Sequence, residues 1–289
     1  MALTTYSLLD FGAGNRLEQW GPYRLIRPDP TARGAPQRPD LWPMADARYD
    51  GEKGRGAWVQ RLPVAAQWPV DFDDLQLSVR LTPYKHTGVF PEQQQNWRWA
   101  RAAAGRSGRP LNILNLFAYT GGATMALAKD GHHVTHVDSS RPAVAWAKDN
   151  ARLNHLAVDR VRWMLDDAPS FAARELKRGR QYDAVVLDPP AYGHGPTGTT
   201  WRGQRDLAPL FATCLALLGD QPAFVLLNGY AQHDTPASLQ RLCTSALPTG
   251  GMTGRWHKDR WQIRSNELLL TAETGATLST GSVVRCRFG

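Results

Sequence analysis

The 289-residue chain has no apolar stretch approaching the roughly 18 residues that cross a bilayer, so no membrane-spanning helix is expected. Its start, Met1-Ala2-Leu3-Thr4-Thr5-Tyr6, lacks a basic region followed by an apolar core, and no secretory signal is expected. Cysteine is scarce: Cys214, Cys243 and Cys286 are odd in number and far apart, which excludes a disulfide framework and a CxxC metal site. A reducing cytoplasm is the expected compartment, and no metal is expected. What is present is ordinary for a globular chain, with 42% hydrophobic and 21% charged residues. The charge is unbalanced, at +8 with a pI near 9.7, which suits an acidic partner such as RNA. Eleven tryptophans and eight tyrosines supply possible stacking surfaces among these basic groups.

Residues 1–85 carry many Gly and Pro, with short strand-like segments such as Tyr23–Ile26 and Ala57–Gln60. Leu75–Leu81 alternates as a half-buried strand does. This predicts a small β-rich N-terminal domain over 1–85 and a second domain over 86–289. In the second, strands and helices alternate. Strands are expected at Leu111–Phe117, His133–Val137, Val161–Met164, Ala184–Leu187 and Ala223–Leu227, and helices at 92–104, 122–129, 142–154, 170–178 and 207–218. Such alternation implies an α/β fold with a doubly wound, mostly parallel Rossmann-like sheet. The tail from Arg255 to Phe288 reads as strands added antiparallel at one edge.

Chemistry concentrates where these strands end, because an open α/β sheet binds ligands outside the carboxyl ends of its strands. Phe117-Ala118-Tyr119-Thr120-Gly121-Gly122 follows the first strand; its paired glycines allow close backbone approach, ahead of a helix amino end. Asp138 follows the second strand, where a carboxylate can take both hydroxyls of a ribose. Asp166-Asp167 follows the third and can accept from an adenine amine. Asp188-Pro189-Pro190-Ala191-Tyr192-Gly193 follows the fourth, its prolines fixing the backbone beside a flat base. A dinucleotide needs G-x-G-x-x-G at the first loop, and a nucleoside triphosphate needs G-x-x-x-x-G-K-[ST]; neither is found there. S-adenosylmethionine has no phosphate and needs only the Gly-Gly loop for its aminocarboxylate.

With these residues the chain resembles the class I S-adenosylmethionine-dependent methyltransferases. Specifically, it resembles the subfamily containing the large-subunit rRNA cytosine-C5 and guanine-N7 methyltransferases. The similarity runs through Thr87–Gln93, Asn115–Gly122, Asp138-Ser139-Ser140, Asp167-Ala168, Tyr182–Gly193 and Phe224–Asn228. It implies that Phe117, Tyr119, Thr120 and Gly121 line the methionine end, that Asp138 holds the ribose, that Asp167 holds the adenine, and that Ser139 is among the cofactor-binding residues. Asp188 and Pro189 would form the methyl-transfer site, and Gln93 would close the cofactor pocket.

One departure matters. Relatives that methylate cytosine C5 carry a cysteine nucleophile at the end of the strand matching Ala223–Leu227, and here that place reads Asn228-Gly229-Tyr230. Direct attack by a base nitrogen on the sulfonium methyl needs positioning only. The expectation is an RNA methyltransferase, acting on rRNA, with Tyr192 and His194 as candidate base contacts. The segment His194–Trp201 is open to reading as a mobile lid or as an ordered surface loop. A small-molecule or protein methyltransferase, and a non-catalytic RNA-binding module with a vestigial cofactor fold, stay open as alternatives.

Overall fold

The computed structural model describes residues 4–52, 55–194, 200–247 and 258–289. The chain divides into two compact units, one of Met1–Gln94 with Leu269–Thr280 and one of Gln95–Leu268 with Gly281–Gly289.

The first unit is β-rich. Strands β1 (Tyr6–Gly12), β2 (Asn15–Trp20), β3 (Tyr23–Pro28), β4 (Ala47–Glu52) and β5 (Arg55–Gln60) form one sheet in that order. All its pairs are antiparallel except β3 with β4. A separate hairpin joins β6 (Trp68–Phe72) and β7 (Leu75–Val79), with Val70, Phe72, Leu75 and Leu77 buried. The sheet is not purely apolar inside. Glu18, fully buried on β2, accepts from Arg27 Nε at 2.5 Å and Nη2 at 2.7 Å, and from the Tyr6 hydroxyl at 2.9 Å. Burial opposes ionisation of Glu18, yet the guanidinium groups of Arg27 and Arg16 outweigh it and hold the carboxyl below its usual range.

The second unit contains α1 (Gln94–Gly105, apart from its first residue), β8 (Asn112–Leu116), α2 (Gly122–Lys129), β9 (His133–Asp138), α3 (Arg141–Leu153), β10 (Val161–Leu165), α4 (Ala168–Lys177) and β11 (Ala184–Leu187). There follow a short hairpin of β12 (Tyr192–His194) and β13 (Thr200–Arg202), then α5 (Gly203–Ala216), β14 (Phe224–Gly229) and α6 (Pro236–Ala246). Strands β15 (Trp261–Thr271) and β16 (Thr277–Phe288) complete the set, apart from their residues 269–271 and 277–280, which belong to the first unit. The large sheet runs β10-β9-β8-β11-β14-β16-β15. Its first five strands are parallel, and β16 pairs antiparallel with β14. This is the doubly wound, mostly parallel architecture that the strand–helix alternation implies, with the tail at one edge.

Successive residues of each central strand serve opposite faces. Leu114, Leu116, Val185, Leu187, Val225 and Leu227 pack with Phe171 of α4, Phe211 of α5 and Leu239 of α6. Ile113, Ala184, Val186, Phe224 and Leu226 pack with Ala100 and Ala104 of α1 and Leu127 of α2. Each such buried aliphatic side chain is worth about 1.5–3 kcal/mol, which explains why these strands read as continuous apolar runs. Among the described residues no helix is long and apolar enough to cross a membrane.

Candidate functional site

The order of strands reverses between β8 and β11, which run outward from the centre to opposite edges. A crevice opens at that switch point, past the carboxyl ends of the strands. Register decides which side chains meet there. Leu116 of β8 pairs with Leu187 of β11 and Val137 of β9, and Leu187 pairs with Leu227 of β14. The next residues, Phe117, Asp188 and Asn228, therefore emerge side by side, with Asp138 closing β9.

The loop after β8 is held in an unusual conformation. Phe117, Tyr119 and Gly121 all have left-handed backbones, with φ of 56°, 48° and 87°. For two aromatic residues this costs on the order of 1–3 kcal/mol each, so the surroundings must enforce it. They do so from above and below. The Tyr119 N–H donates to Asp138 Oδ2 at 2.8 Å, while the Ser140 N–H donates to Oδ1 at 2.8 Å. The Asn150 side chain donates to the Thr120 carbonyl at 2.8 Å. Beneath the loop lies a buried polar group: Asn115 Nδ2 donates to Thr124 Oγ1 at 2.9 Å, which in turn lies 2.9 Å from His136 Nδ1. Burial keeps His136 neutral, with its pKa pushed down to about 3. Space is equally tight at the start of α2, where a Cβ on Gly122 would sit 2.2 Å from Trp97 Cζ2.

Burial raises the Asp138 carboxyl above its ordinary range, against the two backbone N–H groups that lower it. Asp167 is the N-cap of α4, its Oδ2 accepting from the Ser170 N–H at 3.1 Å and hydroxyl at 2.7 Å. Its neighbour Asp166 is ion-paired with Arg174.

Asp188 is held through one oxygen. Its Oδ1 accepts from Asn228 Nδ2 at 2.9 Å and from the Tyr230 hydroxyl at 2.8 Å. Asn228 Oδ1 accepts from Asn96 Nδ2 at 2.9 Å, and Asn96 Oδ1 accepts from Arg285 Nε at 3.0 Å. A continuous line of hydrogen bonds thus runs from Arg285 on β16 to Asp188. The support that Asn96, Asn228 and Tyr230 give Asp188 is not legible loop by loop; the register of β11 and β14 places Asn228 beside Asp188.

Pro189 is buried and Pro190 exposed. The Trp201 indole N–H donates to the Pro190 carbonyl at 2.7 Å, and its ring packs on Phe117 at 4.9 Å. Trp201 is thus a buried strut joining two of the loops. Residues 195–199, the middle of the segment considered as a lid, lie outside the described residues. Tyr192 is 55% exposed at the base of the β12–β13 hairpin. His194 ends β12, and its side chain lies outside the described residues. The structure brings Phe117, Tyr119, Thr120, Gly121, Asp138, Ser139, Asp167, Asp188, Pro189 and Tyr192 to the strand ends of the second unit, whereas Gln93 is a buried residue of the first.

The three cysteines stand apart from this arrangement. Cys214, Cys243 and Cys286 are all buried in the apolar layer beside α5 and α6. Burial pushes the Cys214 thiol far up, and a hydrogen bond with Cys286, together with burial, does the same to Cys243.

A family model for S-adenosylmethionine-dependent methyltransferases matches residues 43–219. Ribosomal RNA large subunit methyltransferase K/L of Shewanella sp. strain MR-4 is 31% identical over 163 residues, covering 53% of this chain and 21% of that protein. Ribosomal RNA large subunit methyltransferase I of Tolumonas auensis is 33% identical over 136 residues, covering 46% of this chain and 33% of that protein. The matches thus span a third or less of the length of these relatives. A solved S-adenosylmethionine-dependent methyltransferase from Agrobacterium tumefaciens superposes with a TM-score of 0.89 at 33% identity, over 99% of this chain and 91% of that one.

Proposed function

Because the chain belongs to the S-adenosylmethionine-dependent methyltransferase family, we propose that it methylates a base nitrogen of RNA, in ribosomal RNA, by direct transfer without a cysteine nucleophile. The observation that carries this reading is the Asp188 carboxylate, held by Asn228 and Tyr230 at the strand end that faces the crevice. Asn228 stands where a covalent mechanism needs its thiol, and the three cysteines are packed in the core.

The residues present fit the cofactor. The loop Phe117–Gly121 would take the methionine end, Asp138 the ribose and Asp167 the adenine, with Ser139 beside Asp138 also contacting the cofactor. When bound, S-adenosylmethionine supplies an electrophilic sulfonium methyl. Asp188 and Pro189 would hold the target nitrogen where its lone pair can reach that methyl, with no covalent enzyme intermediate required. When the nitrogen carries a hydrogen, Asp188 accepts the proton. Tyr192, exposed beside this point, stacks on the target base, with His194 next to it. The names of the relatives and the charge of +8 support RNA as the substrate.

Labelled cofactor incubated with ribosomal RNA is expected to pass its methyl to RNA. Mass spectrometry of rRNA nucleosides from a deletion strain should then show the loss of one N-methylated nucleoside. Loss of 5-methylcytidine instead, or label reaching only protein or small molecules, overturns the reading.

Asp138 gives a second expectation. Two hydrogen bonds from ribose hydroxyls to a carboxylate are worth about 1.5–3 kcal/mol each, so Asp138→Ala should weaken cofactor binding roughly a hundredfold or more by calorimetry. Binding needs the ionised carboxylate, and the raised pKa means that protonation sets in at a higher pH than for an ordinary aspartate. Affinity should therefore fall on acidification while the pH is still above the ordinary value of 3.8. A flat affinity down to that pH excludes Asp138 as the ribose ligand.

A further inference from the structure

At the edge of the large sheet a cavity of about 430 Å³ is lined by Arg106, Arg264, Arg285 and Arg287, with Trp99 and Gln262. Its construction follows from the alternation of two strands. Trp261 and Ile263 of β15, and Val284, Cys286 and Phe288 of β16, turn to the apolar layer. Gln262 and Arg264, and Arg285 and Arg287, consequently share the opposite face. Trp99 lies midway along α1, and Arg106 in the turn just past its last residue, Gly105.

Four guanidinium groups converge here, and among the described residues none of them is ion-paired with a carboxylate. Arg285 is held by Asn96 and Gln95, lies 6.0 Å from the Trp99 ring, and has its pKa lowered by burial. Arg287 donates to Gln262. Arg106 and Arg264 are exposed. A concave face with this much unneutralised positive charge calls for an anion. The arginines repeat along a strand, from Arg285 to Arg287, and across to its neighbour, so the charge is spread over a length. That suits a polyanion better than a single carboxylate.

We propose that this groove binds the phosphate backbone of the RNA substrate, an inference that rests on the RNA reading above. Arg285 belongs both to the groove and to the hydrogen-bond line through Asn96 and Asn228 to Asp188, so a phosphate bound here sits at the far end of the same line that orients the carboxylate.

The test uses the full chain and a fluorescent single-stranded RNA of about 16 nucleotides. The double variant Arg106→Glu/Arg264→Glu should lose at least tenfold in RNA affinity. It should also flatten the dependence of log K on log salt by about 0.7 for each phosphate contact removed. Arg106→Lys/Arg264→Lys should keep most of the affinity, since phosphate accepts a point charge. Cofactor affinity should be the same in all three proteins, which reports an intact fold. If the wild type binds the RNA and the Glu variant binds it equally, with the same salt slope, the groove proposal fails and the RNA reading stands. If the wild type binds no RNA at any salt, both fail. If polyglutamate of matched charge binds the wild type as tightly as RNA and is lost in the Glu variant, the groove docks an acidic protein, and the proposal fails.

Discussion

Asp188→Asn should lower the methyl-transfer rate by about 10²–10⁴ while changing cofactor affinity less than threefold, because a positioned proton acceptor or orienting carboxylate is worth that much in the transition state. The substitution is chosen for its geometry. An asparagine can turn its oxygen toward Asn228 and Tyr230, preserving the two hydrogen bonds that Asp188 Oδ1 now accepts. Only the charge and the acceptor on the other limb are lost. Asp188→Ala, by contrast, strands two donors, and some of its effect would be structural. Tyr230→Phe is the graded companion: it removes one of the two bonds and should cost far less. Single-turnover measurements with saturating cofactor separate chemistry from binding. Turnover of Asp188→Asn near the wild-type rate would remove Asp188 from the reaction.

Glu18→Ala should destabilise the first unit by about 3–5 kcal/mol, since removing one partner of a buried pair leaves the other charge uncompensated. Arg27 would keep its guanidinium in the interior with its bidentate acceptor gone, and Arg16 would lose the carboxylate 3.6 Å from its Nε. On the usual scale for chains of this size, Tm should drop by roughly 6–20 °C. The pH dependence has a definite sign. The folded pKa of Glu18 is depressed, so its contribution is present above the unfolded value of 4.5 and is lost as pH falls through the folded one. The gap between wild type and variant should accordingly narrow in acid. A shift below 2 °C at neutral pH would mean that the cluster contributes nothing net.

The second unit is the more legible of the two, for physical reasons. Its parallel strands are buried on both faces, so Ala184–Leu187 stands out as an apolar run and coincides with β11. The expected helix 122–129 coincides with α2. In the first unit, β2 reads Asn-Arg-Leu-Glu-Gln-Trp, and its buried Arg16 and Glu18 erase the alternation that would announce a strand. Helix α6 escapes notice because it buries only Leu239 and Cys243 among its eleven residues. The β12–β13 hairpin is equally silent: three-residue strands leave no period to detect.

At the candidate site the loops are visible, because Gly, Pro and Asp at strand ends are local signals. The supports are not. That Asp138 carries the left-handed Tyr119, or that Trp201 braces Pro190, depends on contacts between residues distant in sequence. Asn228 is legible only as the absence of a cysteine, while its hydrogen bond to Asp188 requires the register of β11 and β14.

The insertion of β16 between β14 and β15 sets an order of assembly. Strand β14, with every residue buried, finds one neighbour early in β11, but its other edge waits for residues 282–287, beyond α6 and β15. Until they dock, the edge of an apolar strand stands open, and open edges recruit other chains. Refolding from denaturant should for that reason be clean at low protein concentration and lose yield as concentration rises. A charged residue placed mid-β16 should aggravate the loss well before it abolishes the native state.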